Sequence, residues 1–216
     1  MLYHLLLTLM ALYHYSAQII SRSAGKSAVA AAAYRAGEKL WDERYGKQYD
    51  YRKKQGVAHS EILLPVGAPA WMSERQMLWN QIEAIEKHPR AQLCREFTVA
   101  LQSELSVEQN LELLQGFLQE QFVSRGMVID LAIHYPIDQD KKADEPCQNP
   151  HAHVMYPLRQ VVGDGFGNKL RGTFAEHQSE LLAERETWAR HVNAALAKAG
   201  IEEWVDHRSL AEQGIE

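Results

Sequence analysis

The sequence feature that most constrains the fold is a His-x-His pair, His151 and His153, at the start of an apolar segment. On a β-strand, side chains two residues apart point to the same side and lie about 6.5–7 Å apart along the chain. Residues 127–134 form a second apolar run, which ends in His134 and also has the pattern of a strand. If the two strands are neighbours, three imidazoles converge. The spacing therefore predicts a metal site at these histidines, with coordination positions open for a substrate.

Alternation of apolar and polar residues extends this prediction to a whole sheet face. Residues 96–101 place Phe97, Val99 and Leu101 on the core side and Glu96 opposite. An isolated His-x-His pair often lies on the protein surface without any function. Glu96 likewise has a structural alternative, as a charged residue at the start of a strand. Agreement among four candidate strands nevertheless favours a site, in which Glu96 orients a histidine or accepts a proton. The shared polar face carries His14, Glu96, His134, His151 and His153.

Length and composition indicate an ordinary soluble protein with one substantial domain. The chain has 216 residues, of which 46% are apolar and 24% charged. Two cysteines without a CxxC pattern favour a reducing, cytoplasmic setting. Residues 1–20 lack the cationic start of a signal peptide, and no segment predicts insertion into a membrane. Met10 offers a second start, so residues 1–9 are read as an N-terminal extension and 10–216 as the domain.

Charge is distributed unevenly along the chain. The net charge is −5, yet residues 1–56 hold nine Lys/Arg against four Asp/Glu. Gly25-Lys26-Ser27 resembles the end of a phosphate-binding P-loop, but the required earlier glycine falls at Ile20, which excludes that motif. A turn between a strand and a helix remains, and its backbone N–H groups could hold a phosphate together with Arg22 and Lys26.

An alanine-rich helix follows this turn, from Ala28 to about Lys39, and carries Tyr34 and Arg35, of which Arg35 is expected to contact DNA. Such a small surface allows a second backbone or a nucleic acid to approach closely. Tyr34 is its bulky polar exception, although a core aromatic is the commoner role for a tyrosine. Three further helices are predicted at residues 73–87, 106–123 and 176–199.

Two basic segments are candidates for contact with nucleic acid. Residues 41–64 predict a hairpin whose turn contains Lys53 and Lys54, with aromatic and cationic residues interleaved as in single-strand binding surfaces. The alternative is an exposed amphipathic hairpin. Lys169 and Arg171 follow a glycine-rich turn and could reach a phosphate, although solvated surface explains them equally well.

The sequence resembles the MobA/MobL family of plasmid mobilisation relaxases, within the HUH endonucleases. The similarity runs from about residue 10 to the end, and the combination of motifs is more specific than the His-x-His pair alone. The matching segments are residues 13–18 (YHYSAQ), 21–28 (SRSAGKSA), 33–36 (AYRA), 149–153 (NPHAH) and 164–169 (DGFGNK), the strand ending at His134, Trp188, 191–193 (HVN) and 206–209 (DHRS).

This resemblance implies a site, a cofactor and partners. Tyr34 matches the tyrosine that cleaves one DNA strand at the transfer origin and stays bound to the 5′ phosphate, while His134, His151 and His153 match the metal ligands. One divalent ion is implied, manganese or magnesium by resemblance, whereas three imidazoles also suit zinc, cobalt or nickel. The implied partners are single-stranded origin DNA, relaxosome accessory proteins and the coupling protein of a type IV secretion system, in a bacterial cytoplasm.

Pattern and resemblance together predict an α+β fold. We expect a single, mostly antiparallel sheet with helices packed on one side and the site on the face that carries the histidines. Two other functions remain open from the residues alone. One is a metal-dependent phosphodiesterase that activates water, with Tyr34 structural. The other is a non-catalytic module for origin binding or replication initiation.

Overall fold

The structure, a computed structural model, describes residues 11–136, 149–209 and 211–214. The extension expected at residues 1–9 lies outside these ranges. No helix within them is long and apolar enough to cross a membrane. The strands are β1 Tyr15–Ser21, β2 Lys39–Asp42, β3 Lys47–Asp50, β4 Val57–Leu63, β5 Gln92–Ala100, β6 Ile129–His134, β7 His151–Pro157, β8 Arg159–Val162 and β9 Gly165–Lys169; the helices are α1 Ala28–Ala36, α2 Arg75–Ile85, α3 Val107–Gln121 and α4 Phe174–Lys198.

Five of the strands form one antiparallel sheet in the order β1-β5-β7-β6-β4. The central strand β7 pairs with β5 on one side and with β6 on the other. Its register places His151 opposite His134, and His153 opposite both Thr98 and Ala132. The predicted α+β class and antiparallel sheet are confirmed. Because β7 is central, the histidines of two strands lie at one end of the sheet.

One face of the sheet packs against α3 and α4 in an aromatic core. Phe97 of β5 stacks on Tyr15 of β1 with ring centroids 4.9 Å apart. Phe117 of α3 meets the fully buried Trp188 of α4 edge-on at 5.2 Å. Each such pair adds about 0.5–1.5 kcal/mol beyond the area it buries. A shift of one residue in strand register would turn these side chains outward, so this core also fixes which face the histidines occupy.

The opposite face is covered at one end by α1 and α2. This differs from the expectation that helices pack on one side only. The buried alanines Ala32 and Ala33 explain the difference, because a small helix surface lets α1 lie close to the sheet. The run of alanines in the sequence predicts a helix with a small surface, but it does not predict that this surface packs against the sheet. The core beneath these helices contains Val29, Ala32, Ala33, Trp79, Ile82, Cys94, Val128 and Met155.

Local signals set both ends of α1. The hydroxyl of Ser27 accepts a hydrogen bond from the backbone N–H of Ala30, which caps the first turn. Gly37 ends the helix in the left-handed conformation, with φ +67°. The helix is therefore shorter than the predicted Ala28–Lys39. Tyr34 and Arg35 consequently stand on its last turn.

The hairpin predicted at residues 41–64 is wrong. Strands β2 and β3 pair with each other and form a shorter hairpin. Strand β4 joins the main sheet instead, where it pairs with β6. Alternation reveals a strand but not its partner, because pairing with β6 is a contact between residues far apart in sequence. The segment that joins β3 to β4 carries Lys54 to the histidine end of β6.

Candidate functional site

Three histidine rings meet where β6 ends and β7 begins. The ring centroids of His134, His151 and His153 lie 4.9 to 5.3 Å apart. One nitrogen from each ring lies within 4.8 Å of the other two, which makes the group able to hold a metal ion. The convergence that the sequence predicted is thus present on the polar face of the sheet.

Backbone carbonyl groups fix two of these rings. His151 Nδ1 lies 2.9 Å from the carbonyl oxygen of Asn149, and His134 Nε2 lies 2.7 Å from the carbonyl oxygen of Arg35. A carbonyl can only accept, so each of these nitrogens carries the proton and the opposite ring nitrogen keeps its lone pair. Asn149 has φ +61°, an uncommon conformation that is concentrated at functional sites.

Burial favours the neutral form of His134 and of His151. Burial lowers the pKa of His134 to about 4, and the nearby Lys54 adds to the effect. Burial also lowers the pKa of His151. A metal binds the neutral imidazole, so these shifts keep the ligand form present at neutral pH. Three imidazole nitrogen donors fit a divalent transition metal better than magnesium, which prefers oxygen ligands.

A buried carboxylate holds the third ring. Glu96 has no exposed side-chain surface, and its Oε1 lies 3.1 Å from His153 Nδ1. Gln18 donates to the other oxygen at 2.8 Å, and Arg35 donates to both. Burial opposes ionisation of Glu96, but the hydrogen bonds from His153 and Arg35 outweigh it and lower the pKa of the carboxyl. Thr98 Oγ1 also lies 3.1 Å from His153 Nδ1, so two side chains contact the same nitrogen of this ring.

Tyr34 lies beside the histidine cluster with 48% of its surface exposed. Its ring meets Tyr51 edge-on at 5.2 Å. Lys54 Nζ lies 3.9 Å from the centre of the Tyr34 ring and donates to the Tyr34 carbonyl at 2.9 Å. The same Nζ lies 3.5 Å from His134 Nε2. Lys54 thus lies between the tyrosine and the cluster, and burial, with Arg35 nearby, lowers its pKa to about 8.

Arg22 does not have the role expected of it. The sequence suggested a phosphate contact, yet its side chain is buried and forms an ion pair with Glu83 at 2.6 Å. It also donates to the carbonyl oxygens of Glu86 and His88. A guanidinium held in this way is not available to DNA. Charge patterning could not reveal these partners, because they come from α2 and the segment after it.

The other cations expected to bind DNA fall into two places. Lys26 and Lys53 are exposed, and Lys26 Nζ donates to Gln18, which itself contacts Glu96. Lys26 therefore lies on the side of the histidine cluster, and Lys53 directly precedes Lys54, which approaches His134. Lys169 donates to the carbonyl of Gln92, at the opposite end of β5 from the histidines. The structure does not bring Lys169 into the site, and Arg171, two residues further on, is exposed.

Four contributions to the site are not identifiable as such from the sequence. Gln18 and Thr98 had a usable signal, because both alternate onto the polar face that carries the histidines. Asn149 had none, since its contribution is a backbone carbonyl. The same holds for the main-chain oxygen of Arg35.

The fold and the site define a class of protein, an α+β domain with a three-histidine cluster on an antiparallel sheet and a tyrosine beside it. A model of the MobA/MobL family matches residues 26–216, and the chain belongs to this family. The family resemblance inferred from the motifs is therefore confirmed.

Named relatives agree with this assignment. Conjugal transfer protein TraA of Agrobacterium fabrum is 35% identical over 236 residues, which cover 96% of this chain and 20% of TraA. Mobilization protein MobL of Acidithiobacillus ferridurans is 38% identical over 230 residues, which cover 96% of this chain and 60% of MobL. The chain thus spans about a fifth of the first relative and three fifths of the second.

A solved structure has the same fold. It is reported as "Molecular Basis of Vancomycin Resistance Transfer in Staphylococcus aureus" and superposes with a TM-score of 0.79 at 30% identity. The match covers 92% of this chain and 100% of the other.

Proposed function

We propose that this chain is a metal-dependent relaxase domain that nicks and rejoins one DNA strand at a plasmid transfer origin and so starts mobilisation. The observation that carries the proposal is the position of Tyr34 beside three converging histidines, with Lys54 lying between the tyrosine and His134. Support comes from the relatives, which are named as conjugal transfer and mobilization proteins.

In this proposal His134, His151 and His153 hold one divalent ion. The ion would act as a Lewis acid that neutralises charge on the scissile phosphate. The family resemblance favours manganese or magnesium, and the all-imidazole donor set favours manganese, cobalt, nickel or zinc. Glu96 keeps His153 oriented, since a carboxylate at Nδ1 directs the other ring nitrogen toward the site.

Tyr34 is the proposed nucleophile. Its hydroxyl oxygen attacks phosphorus in line, the new O–P bond forms, and the P–O3′ bond breaks to release a 3′-hydroxyl. The phosphotyrosine that results keeps the energy of the phosphodiester, so the 3′-hydroxyl can attack it and rejoin the strand. The cation of Lys54 lies over the Tyr34 ring, where it stabilises negative charge on the phenol oxygen and the phosphate.

Single-stranded DNA is the proposed substrate, and the exposed Lys26 and Lys53 are proposed phosphate contacts together with Lys54. Arg171 remains a proposed contact outside the histidine cluster. Relaxosome accessory proteins and a coupling protein are proposed partners from the family alone. Because the chain spans only part of its relatives, these partners belong to the activity of the whole protein.

A denaturing gel tests the proposal directly. The purified chain is mixed with manganese and a labelled single-stranded oligonucleotide that carries the transfer origin of its own plasmid. The proposal predicts a cleaved product and a covalent protein–DNA band, both lost in Tyr34→Phe and kept in Tyr45→Phe. Cleavage without the covalent band would favour activated water, and binding without cleavage would favour an origin-binding module.

A further inference from the structure

Arg35 directs its side chain into the protein from the last turn of α1, and only 18% of that side chain is exposed. Its Nη2 donates to Oε2 of Glu96 at 2.5 Å, and its Nε donates to the other carboxylate oxygen. Two parallel N–H···O bonds fix both groups in one relative orientation. Nη1 donates to the carbonyl of Ala31, one turn earlier, at 3.1 Å. Internal acceptors thus hold the guanidinium that was expected to bind DNA.

The carboxylate of Glu96 passes this constraint to His153. Oε1 accepts from Arg35 Nε and lies 3.1 Å from His153 Nδ1. Because Glu96 is fully buried, water cannot replace the guanidinium as its partner. Gln18 also donates to the carboxylate, at Oε2, but Arg35 contacts both oxygens, including Oε1, which lies against His153. Arg35 therefore contributes to the position of the carboxylate and, through it, to the orientation of the His153 ring.

The main chain of Arg35 reaches a second histidine. Its carbonyl oxygen lies 2.7 Å from Nε2 of His134. Arg35 is also the direct neighbour of Tyr34 in α1, so the helix fixes the spacing between the two. Arg35 therefore contacts the carboxylate that lies against His153. Its carbonyl oxygen also contacts His134, and it directly follows Tyr34 in the chain.

We propose that Arg35 is a positioning residue that holds the Tyr34 hydroxyl and the three-histidine cluster in register, rather than a contact to DNA phosphate. It acts on the cluster through Glu96 and on the tyrosine through α1. The part that concerns Tyr34 rests on the proposed function above, whereas the part that concerns His153 does not.

The test compares Arg35→Gln and Arg35→Lys with the wild type in three measurements. Manganese affinity by calorimetry should fall by about 10–100-fold in Arg35→Gln, the usual effect of removing a partner that orients a ligand. Arg35→Lys should recover little, since an ammonium cannot form the paired bonds. The first-order rate of covalent adduct formation at saturating DNA and manganese should fall in both. Affinity for single-stranded DNA in chelator should change by less than about twofold. Arg190→Gln is the control, because Arg190 is an exposed arginine of α4 paired with Glu120, outside the segments expected to contact DNA.

A double variant covers the case in which Arg35→Gln folds poorly because Glu96 is left as a buried charge. Arg35→Gln with Glu96→Gln removes both charges and should fold. If Arg35 acts through Glu96, the loss of manganese affinity in the double variant should equal that of Glu96→Gln alone rather than the product of two losses.

Three results separate the possible failures. Unchanged manganese affinity, with weaker DNA binding and a salt slope lower by about one, would make Arg35 a phosphate contact and overturn the proposal. Multiplicative losses in the double variant would overturn the route through Glu96. If the wild type forms no adduct, the proposed function fails, yet the manganese titrations still decide the role of Arg35 at the cluster.

Discussion

His151 offers the cleanest change within the cluster at the scale of single residues. His151 is half-buried, and the partner of its Nδ1 is a backbone carbonyl. His151→Ala therefore leaves no buried charged group without a partner. We expect the variant to fold and to bind single-stranded DNA in chelator, but to lose manganese affinity by more than about 100-fold. Cleavage should be lost as well, because the ion acts on the phosphate rather than on the bases.

Thermal unfolding measures this effect without any DNA. Manganese at about 100 times its dissociation constant stabilises the wild type by about 2.7 kcal/mol. At about 2–4 °C per kcal/mol for a chain of this size, Tm should rise by about 5–11 °C. His151→Ala should show a rise of less than about 2 °C at the same concentration, and the exposed His88→Ala should behave as the wild type. A full rise in His151→Ala would place the ion elsewhere.

Sequence reasoning located side chains better than it located their partners. The three histidines and Tyr34 could be identified because a period of two and a family motif both mark positions along the chain. The sequence predicts Lys54 as a DNA contact, yet Lys54 also lies against the Tyr34 ring. The carbonyl groups of Asn149 and Arg35 leave no trace in residue type, since every residue has one.

The end of α1 controls the site at the scale of secondary-structure elements. Gly37 and Gly25 both have left-handed backbone, with φ +67° and +68°. Alanine should therefore cost about 1–2 kcal/mol of unfolding free energy at either position. At Gly37 the new Cβ would also lie 3.2 Å from Val57 Cγ2, whereas at Gly25 nothing lies within 4 Å.

We predict from this contrast that Gly37→Ala loses more stability than Gly25→Ala in urea unfolding. The adduct rate should fall in Gly37→Ala as well, because the strained turn follows Tyr34 by three residues. Equal losses of unfolding free energy in the two variants would contradict this prediction. They would show that the Val57 side chain can move away from the new Cβ without loss of stability.

The limits of an element can be predicted well where a local periodicity defines them. The position of a strand in the sheet is predicted poorly, because it depends on pairing with a strand far away in sequence. Helices α2, α3 and α4 fall within a few residues of their predicted limits, since each has an amphipathic period. The pairing of β4 with β6 was missed, because no local pattern names a distant partner. Packing of α1 against the sheet was missed too, since a run of alanines fits an open surface and a buried one equally.

Charge distribution sets the binding behaviour of the whole molecule. The chain is acidic overall, but Lys26 and Lys53 are exposed cations in its basic N-terminal part, residues 1–56. Replacing both by alanine should weaken single-stranded DNA binding and reduce the slope of log affinity against log salt by about 1.4. The double variant Lys87→Ala, Lys198→Ala is the matched control, because both lysines are exposed and lie outside residues 1–56. An unchanged slope in the first pair would place the DNA path on another surface.

The central claim for the molecule is that Tyr34 becomes covalently bound to DNA. Tyr45 is the instructive rival, since it is 51% exposed in the loop between β2 and β3, whereas Tyr34 is fixed by a helix and by Lys54. A nucleophile has to be held about 3–3.5 Å from phosphorus, which favours the helix. Digestion of the wild-type adduct and peptide sequencing by mass spectrometry gives the most direct test. We predict that the nucleotide lies on the peptide containing Tyr34; a nucleotide on the peptide containing Tyr45, or an undiminished adduct in Tyr34→Phe, would contradict the account.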